Sequence, residues 1–291
     1  MTVETKPLHP LFAAELTGID LRRPLTDGDV AGFRRAMDAC AVGVIRHDGP
    51  FTDDQHIAFT RRLGPLQKMK MLTMVGNSKS RFAYAELIDV GNIDGEGRLL
   101  PDDDRRRAYN RGNLLWHTDV SFDANRATLS LLAAHRIPPE GADTEFADMR
   151  AAYDALSETM KKRIDGLVVE HSIWHSRALG GMSDVSDAEK ATRPASHHKL
   201  VHVHPGSGRK VLYLASHASH VVGWPMDEGR ALLAELSEFA TQPPFVYRHQ
   251  WRLHDLLIWD NLATMHRATP FDDTRYPRDM RRTTVLERAE A

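Results

Sequence analysis

"VHVHPGSGRKVLYL" (residues 201–214) sets two runs of alternating apolar and polar residues on either side of Pro205-Gly206-Ser207-Gly208. Alternation with a period of two marks a half-buried strand, and a Pro/Gly/Ser cluster between two such runs marks a turn. The stretch therefore predicts a β-hairpin. Outward from it lie further short runs of β-formers: "AVGVIRH", "RATLSLLAAHRI", "TEFADM", "LVVEHSIW", "FVYRHQW", "DLLIWDN" and "RRTTVLE". Helical signals are few. Residues 25–41 carry apolar side chains at helical spacing, 51–64 open on a Thr52/Gln55 capping box, and 226–242 are clearly amphipathic. Residues 148–167 read as one broken or two helices, with Asp148 as N-cap. Many short strands without regular βα alternation predict a mainly β protein, a sandwich or closed barrel with flanking α-helices rather than a doubly wound sheet. With no repeat and no linker, residues 1–291 are expected to form a single domain.

Composition excludes several partner classes. A formal net charge of −2 gives no global field for nucleic acid or an anionic membrane. The run "DDDRRR" (102–107) neutralises itself and reads as a solvated loop. Cys40 is the single cysteine and sits among apolar residues, so it is expected to be buried, and a cytoplasmic, reducing location fits. No apolar run approaches the ~18 residues of a membrane span. Signatures for dinucleotide binding, phosphate loops, zinc proteases and nucleophile elbows are missing from the sequence. The expected partners are a small anionic molecule and further copies of the chain, a homo-oligomer.

Histidine is abundant, with 16 in the chain. In "LLWHTDVSF" (114–122), read as a strand, His117 and Asp119 lie two apart and share a face. "DLLIWDNLATMHRATPF" (255–271) adds a strand, a turn at Asp260-Asn261 and then His266. Two histidines and one carboxylate can occupy one face of an octahedral ion and leave the other open, the arrangement of non-haem Fe(II) oxygenases. The tract 197–204 has less promise as a zinc site, because His202 and His204 lack a nearby third ligand. Downstream, Arg278 and Arg282 are an even number of residues apart and fall on one strand face, with Arg281 on the other. Inward guanidiniums are costly unless they meet anions, so an interior ion pair or a bound carboxylate is required.

"WHTDVSF", Thr144 within "GADTEFADMRAAYDAL", "WDNLATMHRA" and "RDMRRTTV" together resemble the Fe(II)/2-oxoglutarate-dependent dioxygenases of the taurine and 2,4-dichlorophenoxyacetate dioxygenase family. The spacing is specific: Thr144 follows Asp119 by 25 residues, His266 follows it by 147, and Arg278 follows His266 by 12. The resemblance covers nearly the whole chain and is strongest to the aryloxyalkanoate branch. It implies a double-stranded β-helix (jelly-roll) core, Fe(II), 2-oxoglutarate and O2. It assigns the metal to His117, Asp119 and His266, and the cosubstrate to Thr144, Arg278 and Trp259. Arg282 and Asn113 would face the substrate, with Lys68, Lys70, His204, His217 and His220 as further candidates. The expected reaction is hydroxylation of an aryloxyalkanoate, with ether cleavage to a phenol. A taurine or alkylsulfonate oxygenase, a metal-dependent hydrolase on a cupin-like barrel and a non-catalytic binding module are the competing readings.

Overall fold

The computed structural model describes residues 3–68, 80–182 and 184–289; Lys70 and the Met69, Met71 and Met74 run lie outside them. A seven-stranded sheet runs in the order Glu4–Pro7, Ala14–Thr17, Val42–Ile45, Leu256–Asp260, Ala127–Arg136, Asp279–Leu286, Ile88–Asp89. A three-stranded sheet, Val246–His249, Thr144–Asp148, Thr264–Ala268, faces it, and is accompanied by a second three-stranded sheet and a two-stranded hairpin. The hairpin pairs Val201–Val203 with Lys210–Leu212 in antiparallel register, as the alternation predicts.

Strand alternation sorts side chains between two cores. On Ala127–Arg136 and Leu256–Asp260, the residues Leu129, Leu131, Ala133, Leu256 and Ile258 point away from the facing sheet. They pack on Phe33 and Phe59 of helices Asp27–Cys40 and Asp53–Arg61. Leu132, Ala134, Leu257 and Trp259 point the other way and meet Phe146 of the facing sheet. The facing sheet is backed in turn by Met149 and Ala152 of helix Met149–Ala155 and by Leu232 and Leu236 of helix Met226–Ala240. The result is a jelly-roll sandwich with helices outside, and the functional residues project into the space between the sheets.

The helix signals read true. Thr52 and Gln55 cap one another, and residues 148–167 form two helices, Met149–Ala155 and Glu158–Ile164, the first capped by Asp148. Two expectations need correction. Residues 114–122 are not a strand: a 3-10 turn, Arg111–Leu114, leads to one isolated bridge at His117 and then a turn with Val120 at φ +58°. A β-branched residue in the left-handed region is held there by its surroundings. Nor is "DDDRRR" a free loop. Asp104 caps helix Arg105–Asn110, and Arg107 reaches Asp273 at 2.9 Å. No helix among the described residues is long and apolar enough to cross a membrane. Cys40 is buried, and burial pushes its thiol up to about 12.

Candidate metal centre

His117 is fixed to His266 through the backbone. His117 N–H donates to the His266 carbonyl at 2.9 Å, and the reverse bond is 2.8 Å. His266 lies on strand Thr264–Ala268 opposite Phe146, so its ring points between the sheets, stacked on Phe146 and 4.6 Å from the Trp259 ring centre. After the bridge, the turn at Val120 brings Asp119 back toward both imidazoles. One ligand atom from each of His117, Asp119 and His266 lies within 4.8 Å of the others, and all three residues are buried. His117 Nδ1 is 2.8 Å from the Leu115 carbonyl, which fixes that nitrogen as the donor and leaves Nε2 with its lone pair free, 4.0 Å from Asp119 Oδ1.

The protonation states suit a cation. Burial pushes both imidazoles below their ordinary value, so they are neutral and able to ligate. Burial alone would raise the Asp119 carboxyl. The Arg282 guanidinium and the Ser130 hydroxyl outweigh it and hold the group well below the usual carboxylate range. Arg282 Nη1 donates to Asp119 Oδ1, and Ser130 Oγ donates to Oδ2 at 2.8 Å. Asn261 organises the rest. Its Oδ1 accepts from Asp119 N–H and from Trp259 Nε1, and its Nδ2 donates to Ser130 Oγ. Outer hydrogen bonds of this kind fix the orientation of metal ligands.

A cavity of about 340 Å³ opens onto the triad, lined by His117, His266, Asn113, Thr144, Trp259, Arg278 and Arg282 among others. Arg278 shows what this cavity is built to receive. Its guanidinium is buried and, among the described residues, makes one hydrogen bond, Nη1 to the Val90 carbonyl at 3.0 Å, while Nε has no partner there. Burial alone pulls its pKa down to about 10, with no carboxylate to offset it. Thr144 stands on the same cavity wall and accepts a hydrogen bond from Trp251 Nε1 at 3.1 Å, which leaves its own hydroxyl hydrogen available. A buried guanidinium without a counter-charge, on the same cavity wall as a hydroxyl, fits a carboxylate. The donor set and this orphaned cation thus fit a divalent metal and a dicarboxylate cosubstrate.

The other sequence candidates fall into place differently. Arg282 lines the cavity and pairs in register with Leu132, and its partner is Asp119, the interior ion pair that the strand pattern left open beside a bound anion. Arg281 faces outward to Asp53, as the alternation requires. Lys68 is exposed, and neither it nor the three histidines, of which His204 and His217 are buried, belongs to the cavity lining. His204 bonds Asp260 at 2.9 Å; His217 packs behind His117 and bonds Ser121; His220 bonds Ser219. Asn261 and Ser130 are functional residues that sequence reading missed: the first showed only as a turn, the second only as a polar residue at an inward position of a strand.

Comparison with known proteins agrees with this geometry. Residues 4–284 match the family described as "Taurine catabolism dioxygenase TauD, TfdA family". The chain is 46% identical over 289 residues to an alpha-ketoglutarate-dependent 2,4-dichlorophenoxyacetate dioxygenase of Cupriavidus pinatubonensis, covering 99% of both chains. It is 34% identical over 277 residues to a (S)-phenoxypropionate/alpha-ketoglutarate-dioxygenase of Sphingobium herbicidovorans, covering 92% of this chain and 90% of that one. Among solved structures, AAD-2 in complex with Mn(II) and N-oxalylglycine superposes with a TM-score of 0.94 at 44% identity, over 99% of each chain.

Proposed function

This chain belongs to the taurine catabolism dioxygenase TauD, TfdA family, alpha-ketoglutarate-dependent dioxygenases among its relatives, and from that premise we propose that it hydroxylates an aryloxyalkanoate such as 2,4-dichlorophenoxyacetate. The observation that carries the reading is the buried Arg278, without a carboxylate partner among the described residues, on the wall of the cavity that Thr144, His117 and His266 also line, with Asp119 grouped beside the two histidines. A zinc hydrolase on the same barrel would have no use for a buried cation of that kind, and a 2-oxoglutarate-dependent enzyme requires one. The substrate class is supported by the names of the relatives above 40% identity, which act on 2,4-dichlorophenoxyacetate.

The residues divide the work. His117, Asp119 and His266 would hold Fe(II), which supplies with O2 and 2-oxoglutarate the oxidising equivalent for C–H hydroxylation, releasing succinate and CO2. Arg278 and Thr144 grip the distal carboxylate of 2-oxoglutarate and so set how deeply it enters. Arg282, Ser130 and Asn261 keep Asp119 ionised and aimed. Trp259, Phe146 and Leu132 close the inner wall against water. Hydroxylation of the carbon between the ether oxygen and the carboxylate gives a hemiacetal, which collapses to a phenol and a keto or aldehyde acid.

The test is succinate release with Fe(II) over a panel of aryloxyalkanoates, alkylsulfonates, sulfate esters and amino acids. Phenol formation coupled one-to-one to succinate, fastest with an aryloxyalkanoate, is the expected result. Faster turnover of a sulfonate or sulfate ester refutes the substrate class, and turnover that ignores 2-oxoglutarate refutes the whole reading.

A further inference from the structure

Two cavities meet at Arg278. One is the cavity that opens onto the metal centre. The second, of about 350 Å³, is lined by Pro138, Pro139, Gly141, Arg248, Trp251 and Arg278 among others. Ala142 and Arg278 line both, so the cavities stand back to back at the end where the cosubstrate's distal carboxylate is held. Thr144 lines only the first and Trp251 only the second. Yet Trp251 Nε1 donates to Thr144 Oγ1 at 3.1 Å, so the indole reaches from one cavity to the wall of the other. The indole is half-buried and meets the buried His249 ring edge-to-face, with ring centres 4.7 Å apart and planes at 90°. His249, the last residue of strand Val246–His249, is the register partner of Thr144, and Trp251 follows two residues later. The indole is thus a partition with the cosubstrate's anchoring hydroxyl on one side and a cavity, not packed core, on the other.

We propose that Trp251 sets the length of 2-oxo acid the enzyme accepts, its indole closing the cosubstrate pocket behind Thr144 at five carbons. The inference rests on the reading of Arg278 and Thr144 as the cosubstrate's anchors and deepens it. The reacting end of the acid must sit at the metal centre, so each added methylene pushes the distal carboxylate toward the partition. An aromatic wall braced by His249 resists that push. With the indole removed, the carboxylate of a six-carbon acid can pass Thr144 into the second cavity and still meet Arg278, which lines both. No carboxylate among the described residues ties Arg278 to the first cavity. The bulk and the hydrogen bond of Trp251 leave separate signatures. The bond steadies Thr144 for any acid, whereas the bulk acts only on length. The six-carbon acid, 2-oxoadipate, balances as 2-oxoglutarate does: C1 leaves as CO2, one atom of O2 converts the remainder to glutarate, and the other enters the substrate C–H bond.

The experiment measures dissociation constants of 2-oxoglutarate and 2-oxoadipate by calorimetry on the anaerobic Mn(II) enzyme. Wild type, Trp251→Phe, Trp251→Leu and Trp251→Ala are compared, with glutarate release in the presence of Fe(II) as a second readout. Wild type is expected to bind 2-oxoadipate about 10- to 200-fold more weakly than 2-oxoglutarate, the range for one methylene in a closed pocket. Trp251→Leu and Trp251→Ala should bring that ratio to within about threefold of one, with glutarate release rising in step. Trp251→Phe keeps a ring but loses the donor, so it should weaken both acids by a similar factor, about 2- to 10-fold, and keep most of the discrimination. An unchanged ratio in Trp251→Leu and Trp251→Ala overturns the proposal. If no variant folds, the wild type decides: equal affinity for the two acids overturns the wall, and a tenfold or greater preference for 2-oxoglutarate upholds it. Arg278→Met separates this from the underlying reading. Unchanged 2-oxoglutarate affinity in that variant defeats the cosubstrate assignment, whereas a large loss there with an unchanged ratio in Trp251→Ala defeats the wall alone.

Discussion

Replacing Arg278 by Met should make the protein more stable and the enzyme worse. The guanidinium is buried, and burial alone takes its pKa from 12.5 to about 10. At about 1.4 kcal/mol per unit, that is about 3 kcal/mol set against the folded state wherever the group is charged. The sign follows from linkage. A cation whose pKa falls on folding destabilises at every pH below its folded value, so the penalty is fully present at neutral pH and fades only above about 10. Methionine also loses the bond to the Val90 carbonyl, which costs about 1 kcal/mol. The net gain is about 2 kcal/mol, or about 4 °C in melting temperature for a chain of this size. Affinity for 2-oxoglutarate moves the other way by about 3 kcal/mol, about 100-fold, because a bidentate charge-assisted pair is lost. Thermal unfolding without 2-oxoglutarate, then with millimolar 2-oxoglutarate and Mn(II), reads both effects. Wild type should gain stability from the ligand and the variant little. A variant that melts below wild type without ligand, or binds 2-oxoglutarate within a few-fold of it, refutes the reasoning.

Two further predictions concern the metal. Asn261→Ala removes the acceptor shared by Asp119 N–H and Trp259 Nε1 and should weaken Mn(II) binding about 10- to 100-fold, measured by titration against a chelator; unchanged affinity would show that Asp119 is held by Arg282 and Ser130 alone. Since burial keeps His117 and His266 neutral and Asp119 is already ionised, metal binding at pH 6.5 should release well under one proton per ion. Calorimetry in buffers of different ionisation enthalpy measures this, and release of one or more protons would contradict the assigned charge states.

Much of the fold could be read along the chain because its signals are local. The Pro-Gly-Ser-Gly turn at 205–208, the Thr52/Gln55 box and the Asp148 cap each act within a few residues, and the alternation in "DLLIWDN" sorts Ile258 from Trp259 without knowledge of any partner. The site's spacing was legible for a similar reason: Arg278, Arg282 and His266 sit on or beside regular strands. The stretch around His117 misled because its shape is set from a distance. Asn261 holds the Asp119 backbone, and the His266 backbone supplies the bridge partner. Apolar content made residues 114–122 look like a strand when only His117 pairs. Arg107 escaped notice for a related reason. The carboxylate that meets it is 166 residues away.

The bridge between His117 and His266 also bears on how the chain assembles. It joins residues 149 apart in sequence, and contacts of such separation form only after the intervening strands have closed their loops. The first of these histidines leaves the ribosome long before the second, and until the two sheets meet it has no second imidazole beside it. Tight metal capture should accordingly appear in the last refolding phase, after most helical signal has returned. The ion would then act as a late lock on a finished sandwich and not as a seed for it.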